Sequence, residues 1–288
     1  MLREGFNGFC MALADSVPGV SGGTVAFILG FYDQFIGSIH QLVFGKKKEK
    51  VKAMRYLVKL GVGWILGMIL AVLILSYLFE SHIYEISSLF IGFIFGSIPF
   101  ILKEEKESIR HVKQGFLLGL FGVLIVVGIT WMNGRIVNTN MNLSAFDLKT
   151  AIPLFFIGMI AISAMFLPGI SGSTLLLIFG AYIPVMNAIR QVFGLHLSYI
   201  PCLLFFGLGI LAGALSVVKL IQAGLKKYRP QMMYFILGMM IGSFYAIVQG
   251  PTTLTVSQAA MSLSTFHPVA CLVGVLLVFF LQKMKERK

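Results

Sequence analysis

The chain has 288 residues, of which 58% are hydrophobic and only 12% charged, with a mean hydropathy of +0.91. Soluble globular domains carry about 25% charged residues, so this composition excludes one and points to an all-α polytopic membrane protein. The formal net charge of +12 gives no case for nucleic acid as a partner. The basic residues follow no groove-reading motif and sit in short segments between apolar stretches, as membrane topology predicts.

The first element runs from Gly5 to Asp15. Its 11 residues make roughly 16 Å of helix, about half of the hydrocarbon core, and they end at the heptapeptide P-G-V-S-G-G-T of residues 18–24. Arg3 and the short apolar run mimic a signal peptide. No A-x-A cleavage site follows, so the segment is read as part of the first structural unit. Apolar spans are expected at about 57–79, 87–102 and 115–132. Beyond a linker at 134–150, a second arm over 152–166 reaches roughly 22 Å if helical, and P-G-I-S-G-S-T follows at 168–174. The longer arm leaves two readings of this hairpin, re-entrant or fully spanning. Three more spans are expected at about 199–218, 231–249 and 268–282.

The two heptapeptides lie 150 positions apart, and Ile28, Gly30, Tyr32, Ile39 and Gln41 also have identical partners at that offset. Gly61, Gly63, Gly67, Gly92, Gly96 and Ser97 recur 146 residues later. Colinear matches of this kind make the chain an internal duplication, with repeats over 1–133 and 151–288. The glycine stripes read as helix-packing faces.

Charge sets the orientation. If each heptapeptide segment returns to the side it left, all but Arg135, Lys149 and Arg190 of the 23 basic residues fall on one side, the cytoplasmic one, together with both termini. Each half is then a re-entrant hairpin plus three spans. An odd number of crossings turns the second half upside down, the inverted repeat of many secondary transporters. The first tip enters from the cytoplasm and the second from outside, across the cytoplasmic membrane.

Pro18-Gly19 and Pro168-Gly169 break the incoming helices. Ser21, Gly22, Gly23 and Thr24, and Ser171, Gly172, Ser173 and Thr174, stand where the outgoing helices start, so backbone N–H groups and hydroxyls converge. Helix starts favour anions, although hydroxyls there are also ordinary caps. Non-helical backbone at membrane depth is tolerated where it lines a cavity, and two tips from opposite faces suggest a shared site for an anion or polar headgroup. Asp15 and Asp33 are ionisable groups in an apolar setting and therefore candidates for proton coupling; an interfacial residue is the plain reading of Asp33. Arg190 is read either as a guide for an incoming anion or as a snorkelling side chain. Cys10, Cys202 and Cys271 lack metal or redox spacing and read as small buried hydrophobes. The five histidines sit at segment ends without ligand spacing, so no metal and no cofactor is expected.

The run G-F-C-M-A-L-A-D-S-V-P-G-V-S-G-G-T-V-A-F-I-L-G-F-Y-D, with A-M-F-L-P-G-I-S-G-S-T-L-L-L-I-F-G-A-Y, closely resembles the bacterial and archaeal polyprenyl-phosphate transporter family, formerly a domain of unknown function. The resemblance implies a non-enzymatic carrier that returns undecaprenyl phosphate, a cell-envelope lipid, to the inner leaflet. In that reading the headgroup is held by the tips at midplane while the halves rock. Ile183 and Thr174 depart from the family pattern, in which an acidic residue and an aromatic are common at those positions. This puts an equal role for the second tip in question. A channel or symporter for a small anion has the same tip chemistry and stands as the alternative. A lipid-phosphate hydrolase would need an acid/base or nucleophile set, which these serines lack.

Overall fold

A computed structural model describes residues 2–16, 21–71, 76–109, 115–132, 141, 143–144, 147–253 and 258–286. These form helices with no strand among them, an all-α polytopic membrane fold. The first half contains α1 (Leu2–Asp15), α2 (Gly22–Ile28), α3 (Tyr32–Phe44), α4 (Lys47–Leu70), α5 (Ser76–Glu104), the short α6 (Lys106–Ile109) and α7 (Gly115–Met132). The second contains α8 (Leu148–Phe166), α9 (Gly172–Ile178), α10 (Tyr182–Phe193), α11 (Ile200–Lys227), α12 (Arg229–Gln249) and α13 (Pro268–Glu286).

The apolar runs locate the immersed parts but not the helix ends. Helix α4 starts at Lys47, in the lysine-rich stretch ahead of the expected 57–79 span, because Lys and Glu are good helix formers once outside lipid. The expected 57–79 span straddles the break between α4 and α5. Helix α8 reaches back to Leu148, which makes it long and apolar enough to cross a membrane, whereas α13 is the shorter apolar helix.

Glycines reveal the packing. A Cβ at Gly63 would strike the backbone of Gly5, and one at Gly67 that of Phe9. The numbers rise together, so α1 and α4 lie parallel. Parallel helices begin on the same side, and the chain between them must return to where α1 started. The first hairpin is therefore re-entrant. Gly209 against Phe155 and Gly213 against Met159 repeat this relation for α8 and α11. The chain of the second hairpin likewise returns to the side it left, by way of α9 and α10, which meet at a bend of 105°. Gly30 and Gly180, at φ +70° and +64°, make the matching left-handed turns that end α2 and α9.

The remaining pairs cross the repeat boundary. Gly92 and Gly96 of α5 lie on Cys271 and Val275 of α13, while Gly238 and Gly242 of α12 lie on Gly119 and Val123 of α7. These glycines let backbones approach closely. Each half thus lends two helices to pairs completed by the other. Division at the repeat boundary does not yield two separately packed bodies.

Candidate functional site

The tips meet at the centre. Pro18 and Gly19 lie outside the described residues, but Ser21 onward is defined. The Ser21 hydroxyl accepts from the Thr24 N–H at 3.2 Å, the ordinary cap of α2. It also stands 3.3 Å from the Leu167 carbonyl, to which it donates. The Thr24 hydroxyl accepts from the Gly169 N–H at 2.8 Å and lies 3.1 Å from Ser21 Oγ. With Gly169 donating and Leu167 accepting, the consistent assignment has Thr24 donating to Ser21. Ser21 and Thr24 are each 1% exposed, and their hydroxyls are committed to the second tip.

Gly169 holds φ +89°, and a Cβ there would collide with the Met239 carbonyl, so both conformation and space require glycine. Pro168 beside it is buried. Helix α9 has no side-chain cap bond from Ser171. Instead Ser171 and Ser173 pair through their hydroxyls at 2.8 Å, with Ser173 exposed and Thr174 half-buried. The two tips are therefore chemically different, as the Ile183 and Thr174 departures suggested: hydroxyls of the first are consumed, while those of the second include an accessible one.

Asp15 deepens the difference. Its Oδ1 accepts from the Gly22 N–H at 2.6 Å and its Oδ2 from Trp64 Nε1 at 3.0 Å. A carboxylate of the chain itself occupies the start of α2, a position suited to an anion. At the second tip Met165 takes the equivalent place against Gly172. A cavity of about 360 Å³ adjoins the first tip, lined by Asp15, Gly22, Gly23, Gly61 and Trp64 together with Met165 and Phe166 of the other half.

Asp33 is not at the tip. It sits at the start of α3, where its Oδ2 accepts from Arg229 Nη1 at 2.7 Å, while Arg229 also donates to both carboxylate oxygens of Glu105. This cluster joins the start of α3, the end of α5 and the start of α12. The neighbouring Tyr32 hydroxyl reaches the Phe166 carbonyl at 2.8 Å, and Gln282 of α13 donates to the Ile28 carbonyl at 2.8 Å. The exposed Arg190 lies in the last turn of α10 and lines neither the tip cavity nor the Asp33 pocket. Trp64, Glu105, Arg229 and Gln282 escaped the sequence reading. A glutamine inside an apolar helix was the one available signal.

The family described as undecaprenyl phosphate translocase-like matches residues 11–265, both tips included. The chain belongs to this family. Among curated relatives of this translocase-like chain, a polyprenyl-phosphate transporter of Staphylococcus aureus (strain NCTC 8325 / PS 47) is 35% identical over 248 residues, covering 86% of each chain. A polyprenyl-phosphate transporter of Vibrio cholerae serotype O1 is 34% identical over 259 residues, covering 86% of this chain and 78% of the relative. No solved structure matches the translocase-like chain.

Proposed function

We propose that this protein carries polyprenyl phosphate, undecaprenyl phosphate in particular, across the cytoplasmic membrane and so recycles the lipid carrier of the cell envelope. The observation that carries the reading is the junction of the two tips, with Thr24 bonded to Gly169 and Asp15 seated on Gly22. In this reading the two helix starts enter from opposite faces and meet around one point. A bare phosphate monoester cannot cross hydrocarbon, where an isolated ion costs tens of kcal/mol; helix-start N–H groups and hydroxyls replace its water. The family membership and the relatives' names support the lipid as cargo.

The headgroup interacts with the tip backbone around Gly22, Gly23, Gly172 and Thr174 and with the hydroxyls of Ser171 and Ser173. Ser21 and Thr24 act by holding the tips together. Asp15 competes with the phosphate for the start of α2. Protonating it removes its charge and weakens its hold on the Gly22 N–H, so that the phosphate can displace it, and this exchange couples cargo to protons. The termini and the basic segments face the cytoplasm. Because α5 pairs with α13 and α7 with α12, the moving parts are each hairpin with its parallel partner, α1 to α4 and α8 to α11, sliding against that mixed scaffold. Arg190 keeps only a peripheral role, snorkelling or attracting the anion.

Proteoliposomes containing only this protein and a labelled polyprenyl phosphate test the reading. The label is expected to become accessible in the opposite leaflet faster than in protein-free vesicles. Equal rates would refute carriage of this lipid.

A further inference from the structure

The cavity beside the first tip takes no part in the junction between the tips. Along α4, Gly63 and Gly67 press on α1, but a Cβ at Gly61 meets nothing within 4 Å, and Gly61 lines the cavity. The lining includes the start of α2, at Gly22 and Gly23, and also Ile65 and Ile162 of α8. Ile65 is 54% exposed on the apolar outer face. Asp15 is the one charged residue in the lining, and both its oxygens are taken by Gly22 and Trp64. What remains for an occupant is hydrocarbon wall and an indole.

Packed interiors keep few voids larger than a water molecule. About 360 Å³ instead falls within the range of small-molecule sites. An occupant with its polar end at the tips and its body running out past Ile65 is an amphiphile with one chain.

We propose that this cavity holds the phosphate-proximal end of a single prenyl chain, whose remainder leaves between Ile65 and Ile162 into lipid. The assignment rests on the polyprenyl-phosphate reading above and adds where the chain is gripped. The two acyl chains of a phospholipid diverge within a few bonds of the phosphate, and the second would have no place beside the first.

Trp64 provides the probe. The chain has two tryptophans, so Trp131→Phe leaves Trp64 as sole reporter in the cavity wall. Farnesyl phosphate is expected to shift its emission saturably, and farnesol to do so in the same direction with lower affinity. Inorganic phosphate and phosphatidylglycerol should leave it unchanged. Gly61→Leu and Gly61→Phe start from a position where a Cβ is unobstructed and should weaken farnesyl phosphate at least tenfold, the larger side chain more. Gly128→Phe, another position where a Cβ meets nothing within 4 Å, should not. Melting transitions of all variants confirm folding. Unchanged affinity in folded Gly61→Phe, an equal shift with inorganic phosphate alone, or competition by phosphatidylglycerol would each overturn the assignment. If wild type and Gly61→Phe moved polyprenyl phosphate equally fast in proteoliposomes, the cavity assignment would fall while carriage stood. If wild type moved none, carriage itself would fall and the assignment with it.

Discussion

The hydroxyl of Thr24 and the backbone N–H of Gly169, 145 residues apart, meet at 2.8 Å in the buried centre of the molecule. Each copy of the repeated heptapeptide thus completes the other's hydrogen bonding. Thr24→Val keeps the shape but leaves the Gly169 donor buried without its acceptor, which costs about 1–3 kcal/mol. A lowered melting temperature in detergent is the expected outcome. Ser173→Ala, at an exposed position, should melt like wild type and lose affinity for lipid phosphate instead, by about 1.5–3 kcal/mol for a hydrogen bond to a charged group. The two variants separate fastening from binding, and thermal melts beside lipid-binding titrations read both.

Asp15 faces two donors, Gly22 N–H and Trp64 Nε1–H. An asparagine has one acceptor oxygen and a donating amide, so Asp15→Asn satisfies one of them and sets N–H against N–H at the other. Transport is expected to fall and to lose its response to an imposed pH gradient. Asp33→Asn should retain that response, since Asp33 lies in the Arg229 cluster. Uptake by proteoliposomes with and without the gradient is the measurement. A wild-type response in Asp15→Asn would remove this carboxyl from coupling.

Arg229 grips Glu105 with two nitrogens and Asp33 with a third. The Glu105 side chain is 12% exposed and that of Asp33 51%, so the former carries most of the energy, because exposed pairs contribute little. Arg229→Lys cannot reproduce the fork. Both Arg229→Lys and Glu105→Gln should destabilise the fold by about 1–3 kcal/mol, and Asp33→Asn by under about 1 kcal/mol. Chemical denaturation of the three variants in micelles checks the order.

The proposed sidedness, with the basic segments cytoplasmic, is open to labelling. With native cysteines replaced, single cysteines at Lys47 and Lys227 are expected to react with an impermeant reagent from the cytoplasmic side, and one at Thr252 from the other. Reaction of the first two from opposite faces would contradict the inverted repeat.

Much of this architecture was legible in the residues. Identical partners of Gly30 and Tyr32 revealed the duplication, and the single-sided lysines implied the returning hairpins that Gly5 on Gly63 and Phe155 on Gly209 then displayed. The partners of the glycine stripes were not legible, because Gly92 and Gly238 present the same small face to any helix. Ser21 and Thr24 were read as ligands for an anion. A hydroxyl beside a helix start serves substrate or neighbouring backbone equally well, and the bonds to Leu167 and Gly169 were not legible in the residues. Trp64 gave no signal, since an indole in an apolar helix is unremarkable until Asp15 is found next to it.

The exchange of helices between halves bears on how the protein is made. Ribosomes deliver the first repeat well before the second, and the stretch from Gly122 to Gly238 takes roughly 6–25 s to synthesise. During that interval α5 and α7 sit in the bilayer with Gly92, Gly96 and Gly119 uncovered, their grooves shaped for α12 and α13. A product truncated after Met132 would keep those faces bare. Such a fragment is expected to be recognised by membrane quality control, or to pair with a second copy of itself, rather than persist as a folded half.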